Sequence, residues 1–404
     1  MPNEANNTIL TKSVKHEMNA RKSSGICLNM IVKNETLVLD RLFNSVKDYI
    51  DYYVIVDTGS TDGTPEFIKK QMDTYGIPGE VHCREWVNFG TNRQEALQLA
   101  CAAGKCDWLL ILDADEELVC ADPGFFSRME PGVTYHLDKI YRELRYALPN
   151  LIDVRQTRWR WVGAVHEYLE VVNGHSPRHR CQEAWIVARG GEGARSIGLT
   201  DEEKFLRDAH ILEEELRKDP DNCRYRFYLA QSYRDARKFQ EAYDNYRVRA
   251  EMKGGWDEET SVARHQAGRM AILLGMPHAQ VLEELLAAYN SRPARAEPLH
   301  ELAVHCRVTQ RNGEAYLFAK MASLIPRPSD MLFVIDEIYE WRNDDELAIA
   351  ACNLGKYEEA RELCEKLLRF AEEKDAIDCE NLQRIEMNLV VAKAGCAAPN
   401  LTTW

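Results

Sequence analysis

The chain has 404 residues, 45% hydrophobic and 29% charged, with 65 acidic against 51 basic residues and a formal net charge of −14. That length implies two to three domains. The acidic balance argues against a protein built mainly to grip nucleic acid, which carries a basic footprint. No apolar run approaches a membrane span.

Residues 1–24 are polar and mixed in charge, with no apolar core, so they read as a flexible leader and not as a secretory signal. The 12 cysteines are scattered and form no C-x-x-C pair, which reads as reduced thiols and a cytoplasmic setting. The spacing does not favour zinc. His300-Glu301 is followed by His305, one residue more than the zincin motif allows. His175, His179 and Cys181 fall in a loop. One local basic patch stands out: Lys139, Arg142, Arg145, Arg155, Arg158 and Arg160.

Residues 26–32 form an apolar run, the first predicted strand. Asn34-Glu35 follows, then a predicted helix over 36–47 with Leu37, Leu39, Leu42, Phe43 and Val46 on its apolar positions. Residues 52–56 are the second strand. It ends in Asp57-Thr58-Gly59-Ser60-Thr61-Asp62-Gly63-Thr64-Pro65, a polar turn with a helix start before Pro65. A helix to about residue 74, a short strand at 81–83 and a helix over 91–103 lead to the run 108–112. This alternation implies a parallel sheet with crossover helices.

The run 108–112 stops at Asp113-Ala114-Asp115. Ligands of open α/β sheets bind at the carboxyl ends of the strands. Two carboxylates there can hold a hard cation, and Mg²⁺ takes one or two carboxylates plus substrate phosphates. Alone, such a pair is as readily solvent-facing strand-end charge. Here Glu35, Asp57, Asp113 and Asp115 all follow strands and converge on one edge. The chain has no G-x-G-x-x-G and no P-loop, so phosphate would be met by metal and side chains.

Strands are predicted at 135–141, 146–153 and 185–188. Between them, Trp159-Arg160-Trp161 precedes His166-Glu167. The aromatic pair could stack on an acceptor or fill the core. The His–carboxylate pair could be catalytic or anchor a strand end. Residues 190–196 form a Gly-rich loop able to close over a ligand.

Together, Met30–Glu35, the Asp57–Thr64 string, Asn92-Arg93 and Asp113-Ala114-Asp115 resemble the GT-A fold glycosyltransferases of family 2. The likeness covers about residues 25–170. Trp161-x-Gly163-x-x-His166-Glu167 is similar to the second half of the site in a subgroup with helical repeats behind the transferase domain. The resemblance implies an α/β GT-A (Rossmann-like) domain that uses a nucleoside diphosphate sugar, most often a UDP-sugar, usually with inversion. It implies Glu35, Asp57, Arg93 and Asp113 as nucleotide-sugar-binding residues, with Asp113 near the ribose or metal. Asp115 would bind Mn²⁺ or Mg²⁺, His166 is a candidate further metal ligand, and Glu167 would be the general base. Trp159 and Trp161 are the acceptor candidates. Related sequences often carry a histidine where this chain has Ala188-Arg189; Arg189 or Arg195 could instead supply positive charge to the diphosphate.

From residue 201 the texture becomes helical. Leu229-Ala230 with Ala242, Tyr246 and Ala250 has nearly the offsets of Leu302-Ala303 with Ala315, Ala319 and Ala322. Leu347-Ala348 with Ala360, Cys364 and Leu367 repeats them, and a weaker copy sits at Ala267-Gly268. This pattern resembles tetratricopeptide (TPR) repeats. The expected domains are a leader at 1–24, a GT-A domain at 25–200 and a TPR-like helical repeat domain at 201–404. The repeats could recruit a peptide, glycan or modified nucleic acid acceptor, or make a homodimer. The insertion 324–342 could cap a groove. The alternative is a TPR-type binding scaffold with a degenerate transferase domain. A sugar nucleotidyltransferase ranks below both, because no basic Gly-rich loop follows the first strand.

Overall fold

A computed structural model of the chain describes residues 25–141, 144–173, 176–189, 192–193, 198, 200–374 and 376–397. The chain divides into two compact units, 1–200 and 201–404. The leader lies outside the described residues.

The first unit opens with β1 (Ile26–Val32), α1 (Leu39–Val46), β2 (Tyr52–Asp57), α2 (Thr64–Tyr75), β3 (Gly79–Cys83), α3 (Phe89–Ala103) and β4 (Trp108–Ile111). β3, β2, β1 and β4 lie side by side and parallel. Nearly every side chain of β1, β2 and β4 is buried, which is why these strands read as continuous apolar runs and not as alternating ones. The sheet is larger and more mixed than the parallel sheet expected. β5 (Glu116–Cys120), β6 (Thr134–Tyr141), β7 (Leu144–Asp153) and β10 (Arg178–Ala188) extend it to eight strands, in the order β3-β2-β1-β4-β7-β6-β10-β5. β8 (Arg158–Val162) and β9 (Tyr168–Asn173) pair as a separate antiparallel ribbon.

α1 begins at Leu39, later than predicted, because the preceding residues serve the neighbouring loop. Asn34 takes a left-handed backbone, φ 58°, and its Oδ1 accepts from the Thr61 N–H at 2.7 Å. The Ser60 hydroxyl accepts from the Asn34 N–H, and the Thr64 hydroxyl from the Glu35 N–H. Asp62 accepts from Thr36 with one oxygen and from Thr64 with the other. The Asp57–Thr64 string is therefore a clamp on the segment after β1. Asp62 within it is a bracing residue.

The basic patch is largely neutralised. Arg145 and Arg180 both meet Asp138, Arg155 meets Asp107, Arg160 meets Glu170, and Lys139 meets Glu116. Arg142 lies outside the described residues. All twelve cysteines are free. His179 packs edge-on against Tyr135, while His175 lies outside the described residues.

The second unit is a run of helices, each packed on the next: α4 (Asp201–Lys218), α5 (Cys223–Asp235), α6 (Phe239–Glu251), α7 (Asp257–Leu273), α8 (His278–Ser291), α9 (Glu297–Val308), α10 (Asn312–Ser323), α11 (Asn343–Asn353), α12 (Tyr357–Lys374) and α13 (Cys379–Ala397). Alanines at 230, 242, 267, 303, 315 and 319 are fully buried, and they let paired helices approach closely. Gly268 is the tightest case: a Cβ there would stand 2.4 Å from Leu285 Cδ2. The weak repeat copy is thus a true helix pair, α7–α8.

The insertion after α10 folds back over the first helices of three pairs. Glu258 of α7 accepts from the Met331 and Leu332 N–H groups, and Arg295 donates to the Leu332 and Phe333 carbonyls. The Phe333 ring stacks on Phe227 of α5. Trp341 closes the C-terminal end of this insertion. It is buried within a short π-helical turn leading into α11. No helix among the described residues is long and apolar enough to cross a membrane.

Candidate active site

β2 ends at Asp57, level with Val32 at the end of β1, and the DAD stretch leaves β4 on the other side of β1. Asp57 is 2% exposed. Its Oδ2 accepts from the Gly59 and Ser60 N–H groups at 3.1 and 3.0 Å. Its Oδ1 is buried without a partner. Buried acceptors are nearly always satisfied, which makes this orphan at a strand's carboxyl end a candidate acceptor for a ligand's donor.

α3 carries Arg93 to the opposite side of the edge. Asn92, beneath it, donates to the Glu85 carbonyl and accepts from the Val87 N–H, fixing the helix start. Gly90 allows the decisive approach: a Cβ there would lie 1.9 Å from the Gly163 carbonyl oxygen. This contact seats α3 against the loop between β8 and β9. Gly163 and His166 both have left-handed backbones in that loop, φ 106° and 54°. For histidine that region is uncommon, and such outliers concentrate at functional sites.

The result is a three-residue bridge. Arg93 Nε donates to Glu167 Oε1 at 2.6 Å, and its Nη2 donates to Asp113 Oδ1. Arg93 and Glu167 are each 11% exposed at the side chain. Burial works against the guanidinium charge, but the two carboxylates outweigh it and hold Arg93 protonated. The guanidinium also lies over the Trp161 ring, 5.2 Å from its centroid.

Asp113 is held from a second direction. Its N–H donates to Glu116 Oε2 at 2.8 Å, and its Oδ2 is 3.8 Å from Lys139 Nζ, which pairs with Glu116. Burial and Asp113 push the Glu116 carboxyl up; Lys139 opposes them and is itself held protonated. Burial and the Asp113 carboxylate also push the Asp115 carboxyl above its ordinary value, and Lys139 and Arg41 only partly offset this. A cation at Asp115 would relieve that cost.

Asp115 and Glu35 share one neighbour. A Cβ at Gly193 would stand 3.5 Å from Glu35 Oε1 and 3.7 Å from Asp115 Oδ2. The backbone at 193 therefore lies over both acids. Arg189 donates to the Asp115 carbonyl through its N–H, while its side chain is tied to Glu117 at 2.7 Å. Arg41 also reaches Glu117 and, at 2.7 Å, Glu192. Arg195 lies outside the described residues.

The structure thus brings together Arg93, Asp113 and Glu167 on one side, and Glu35 and Asp115 on the other. Trp159 is anchored by its indole N–H to the Asp153 carbonyl and packs, with Trp161, on the apolar cluster under α3. The Trp161 indole nitrogen is buried without a partner. Among the described residues, the acids and His166 of this edge form no preassembled triple of metal-ligand atoms. Sequence reasoning missed Lys139, Glu116 and Gly90. Glu116 was visible beside the aspartates and Lys139 in the basic patch, but nothing in either stretch signals that they pair.

With this geometry in hand, residues 27–120 match the profile of glycosyl transferase family 2. The chain is 33% identical over 101 residues to an uncharacterized glycosyltransferase of Rickettsia conorii, covering 25% of this chain and 32% of that protein. It is 23% identical over 235 residues to the SPbeta prophage-derived glycosyltransferase SunS of Bacillus subtilis, covering 54% and 51%. It is 37% identical over 95 residues to a TPR repeat-containing protein of Synechococcus elongatus, covering 23% and 21%. The chain spans between a fifth and a half of these relatives. Solved structures similar to it include MamA, at TM-score 0.35 and 15% identity, covering 44% of this chain and 87% of that one. At that score the likeness adds nothing to the helix pairs themselves. Residues 27–120 of the N-terminal unit thus match a family 2 glycosyltransferase domain on a Rossmann-like sheet, and a unit of helix pairs with TPR-like spacing follows it.

Proposed function

We propose that the protein transfers a sugar from a nucleoside diphosphate sugar, a UDP-sugar first among candidates, to an acceptor hydroxyl or other nucleophile with inversion. The observation that carries this reading is the Arg93 bridge. It holds a carboxylate from the β8–β9 loop beside a carboxylate from the DAD stretch, as a displacement between donor and acceptor requires.

In this reading Asp57 Oδ1 accepts from the donor's base, and Glu35 and Asp113 border the ribose and diphosphate. Glu167 removes the acceptor proton as the nucleophile attacks the anomeric carbon. Arg93 fixes the orientation of Glu167, and the Gly193 backbone shields the donor from water. Asp115 fits a Mn²⁺ or Mg²⁺ ligand: it is one carboxylate, made costly by burial and by Asp113, and such ions take one or two carboxylates plus substrate phosphates. His166 is the candidate further ligand. When bound, the metal neutralises charge on the departing diphosphate. Trp159 and Trp161 shape the acceptor side mainly through their packing, with the unpartnered Trp161 N–H as the polar handle. The repeats recruit the acceptor or join two copies of the chain.

A panel of nucleoside diphosphate sugars, scored for donor hydrolysis with Mn²⁺ or Mg²⁺, tests the reading. One donor should be turned over, and Asp115→Ala and Glu167→Ala should each abolish that turnover. Full activity in both variants would overturn the site assignment.

A further inference from the structure

A second cluster of chemistry-bearing side chains lies far along the sequence from the DAD edge, inside the helical unit. His278 opens α8, Cys306 sits in the last turn of α9, and Glu314 in the first turn of α10. Glu314 Oε2 is 2.9 Å from His278 Nε2 and 3.6 Å from Cys306 Sγ. One ligand atom from each residue lies within 4.8 Å of the others. In a tetrahedral zinc site, bonds of about 2.0–2.3 Å put neighbouring ligand atoms roughly 3.3–3.8 Å apart. The three atoms already approach that spacing without an ion.

The surroundings have the form that a ligand histidine requires. His278 Nδ1 faces His305 Nε2 at 3.2 Å, and the two rings are parallel within 6°. With the proton on Nδ1 and donated to His305, Nε2 keeps its lone pair directed at Glu314 and Cys306. Metal-bound histidines usually donate their other N–H in this way. Arg311 lies 3.5 Å from the other Glu314 oxygen, Oε1, leaving Oε2 to the cluster. Cys306 is fully buried.

We propose that His278, Cys306 and Glu314 form a binding site for a divalent transition metal of the zinc class, with His305 as the positioning residue behind His278. A thiolate, an imidazole and one carboxylate suit zinc and its neighbours rather than Mg²⁺ or Ca²⁺. As the sulfur binds, the Cys306 proton leaves to solvent. Thiolate and carboxylate together balance the two positive charges. Three protein ligands leave a fourth position, and Glu314, 44% exposed at its side chain, keeps it open to solvent. The ion would join the starts of α8 and α10 to the end of α9, bracing two successive helix pairs. The inference is independent of the sugar-transfer reading.

The full-length chain, stripped with a chelator, should be titrated with Co²⁺ alone while the thiolate-to-cobalt charge-transfer absorption is followed. The expected result is a band saturating at one equivalent, displaced by Zn²⁺. Cys306→Ser should abolish the band. His278→Gln and Glu314→Gln should weaken binding by at least about tenfold, and His305→Ala by roughly 10–100-fold with the band retained. Far-ultraviolet circular dichroism checks the fold of each variant. If Cys306→Ser does not fold, His278→Gln decides the matter. No band in the parent chain, a band that survives Cys306→Ser, or undiminished affinity in His278→Gln would overturn the proposal.

Discussion

Arg93 Nε stands 2.6 Å from Glu167 Oε1, joining a helix that follows β3 to a loop 74 residues further along the chain. The same guanidinium reaches Asp113. One side chain therefore sets the separation of the two carboxylates on which the proposed displacement depends, and it does so from a largely buried position.

Arg93→Ala should damage both stability and turnover. Glu167 would be left buried without its cation, and breaking such a pair costs about 3–5 kcal/mol. The low end is expected, because Asp113 is 41% exposed and water can serve it. Denaturant unfolding measures the first effect and donor turnover the second. Arg93→Lys keeps the charge but not the fork, so it should recover stability more than activity.

Gly90→Ala tests the helix-to-loop contact. The added methyl has no room beside the Gly163 carbonyl. Overpacking of this kind costs about 1–3 kcal/mol. The shift should fall on α3 and the 163–167 loop, lowering kcat more than it lowers donor affinity. Gly104→Ala, at a helix end where a Cβ meets only the Ala102 carbonyl at 3.9 Å, controls for backbone strain alone.

Asp115→Asn should trade activity for stability. Burial and Asp113 hold the native Asp115 proton to a higher pH than in the unfolded chain. Without metal, ionising this group therefore destabilises the fold as pH rises above the ordinary carboxylate value. The variant should melt higher than the parent at neutral pH in chelator, and the difference should vanish in acid. Added Mn²⁺ should stabilise only the parent.

The helical unit should weaken in mild acid. Burial, then the charges of Arg269, Arg295 and His300, push His265 down to about 3. Burial lowers His300 as well. The unfolded chain binds these protons near pH ~6.5, so stability falls as pH drops below that value, until the native groups also protonate. His265→Gln should flatten the slope between neutral pH and the acid limb, as measured by thermal unfolding.

The first half of the α/β unit was legible because buried parallel strands and crossover helices leave strong periodic signals. Glu35, Asp57, Asp113 and Asp115 were legible as acids following strands. The repeats were legible through small residues at fixed offsets, such as Ala303, Ala315 and Ala319. β5 and the early part of β10 were not. β5 carries Glu116-Glu117, and β10 begins Arg178-His179-Arg180, so only pairing with a neighbouring strand makes either extended. The Arg93 bridge was equally invisible: it depends on Gly90 meeting Gly163, a contact between glycines that no local pattern announces. The zinc-class cluster escaped for the same reason. His278, Cys306 and Glu314 lie on three helices, 28 and 8 residues apart, and match none of the short zinc motifs.

Calorimetric titration of the chain with UDP, with and without Mn²⁺, tests the central claim most directly. The account predicts metal-enhanced binding of one nucleotide per chain, weakened by Asp57→Ala and by chelator and losing its metal enhancement in Asp115→Asn. If neither UDP nor any other nucleoside diphosphate bound under any metal condition, the donor site would be contradicted and a binding scaffold would remain.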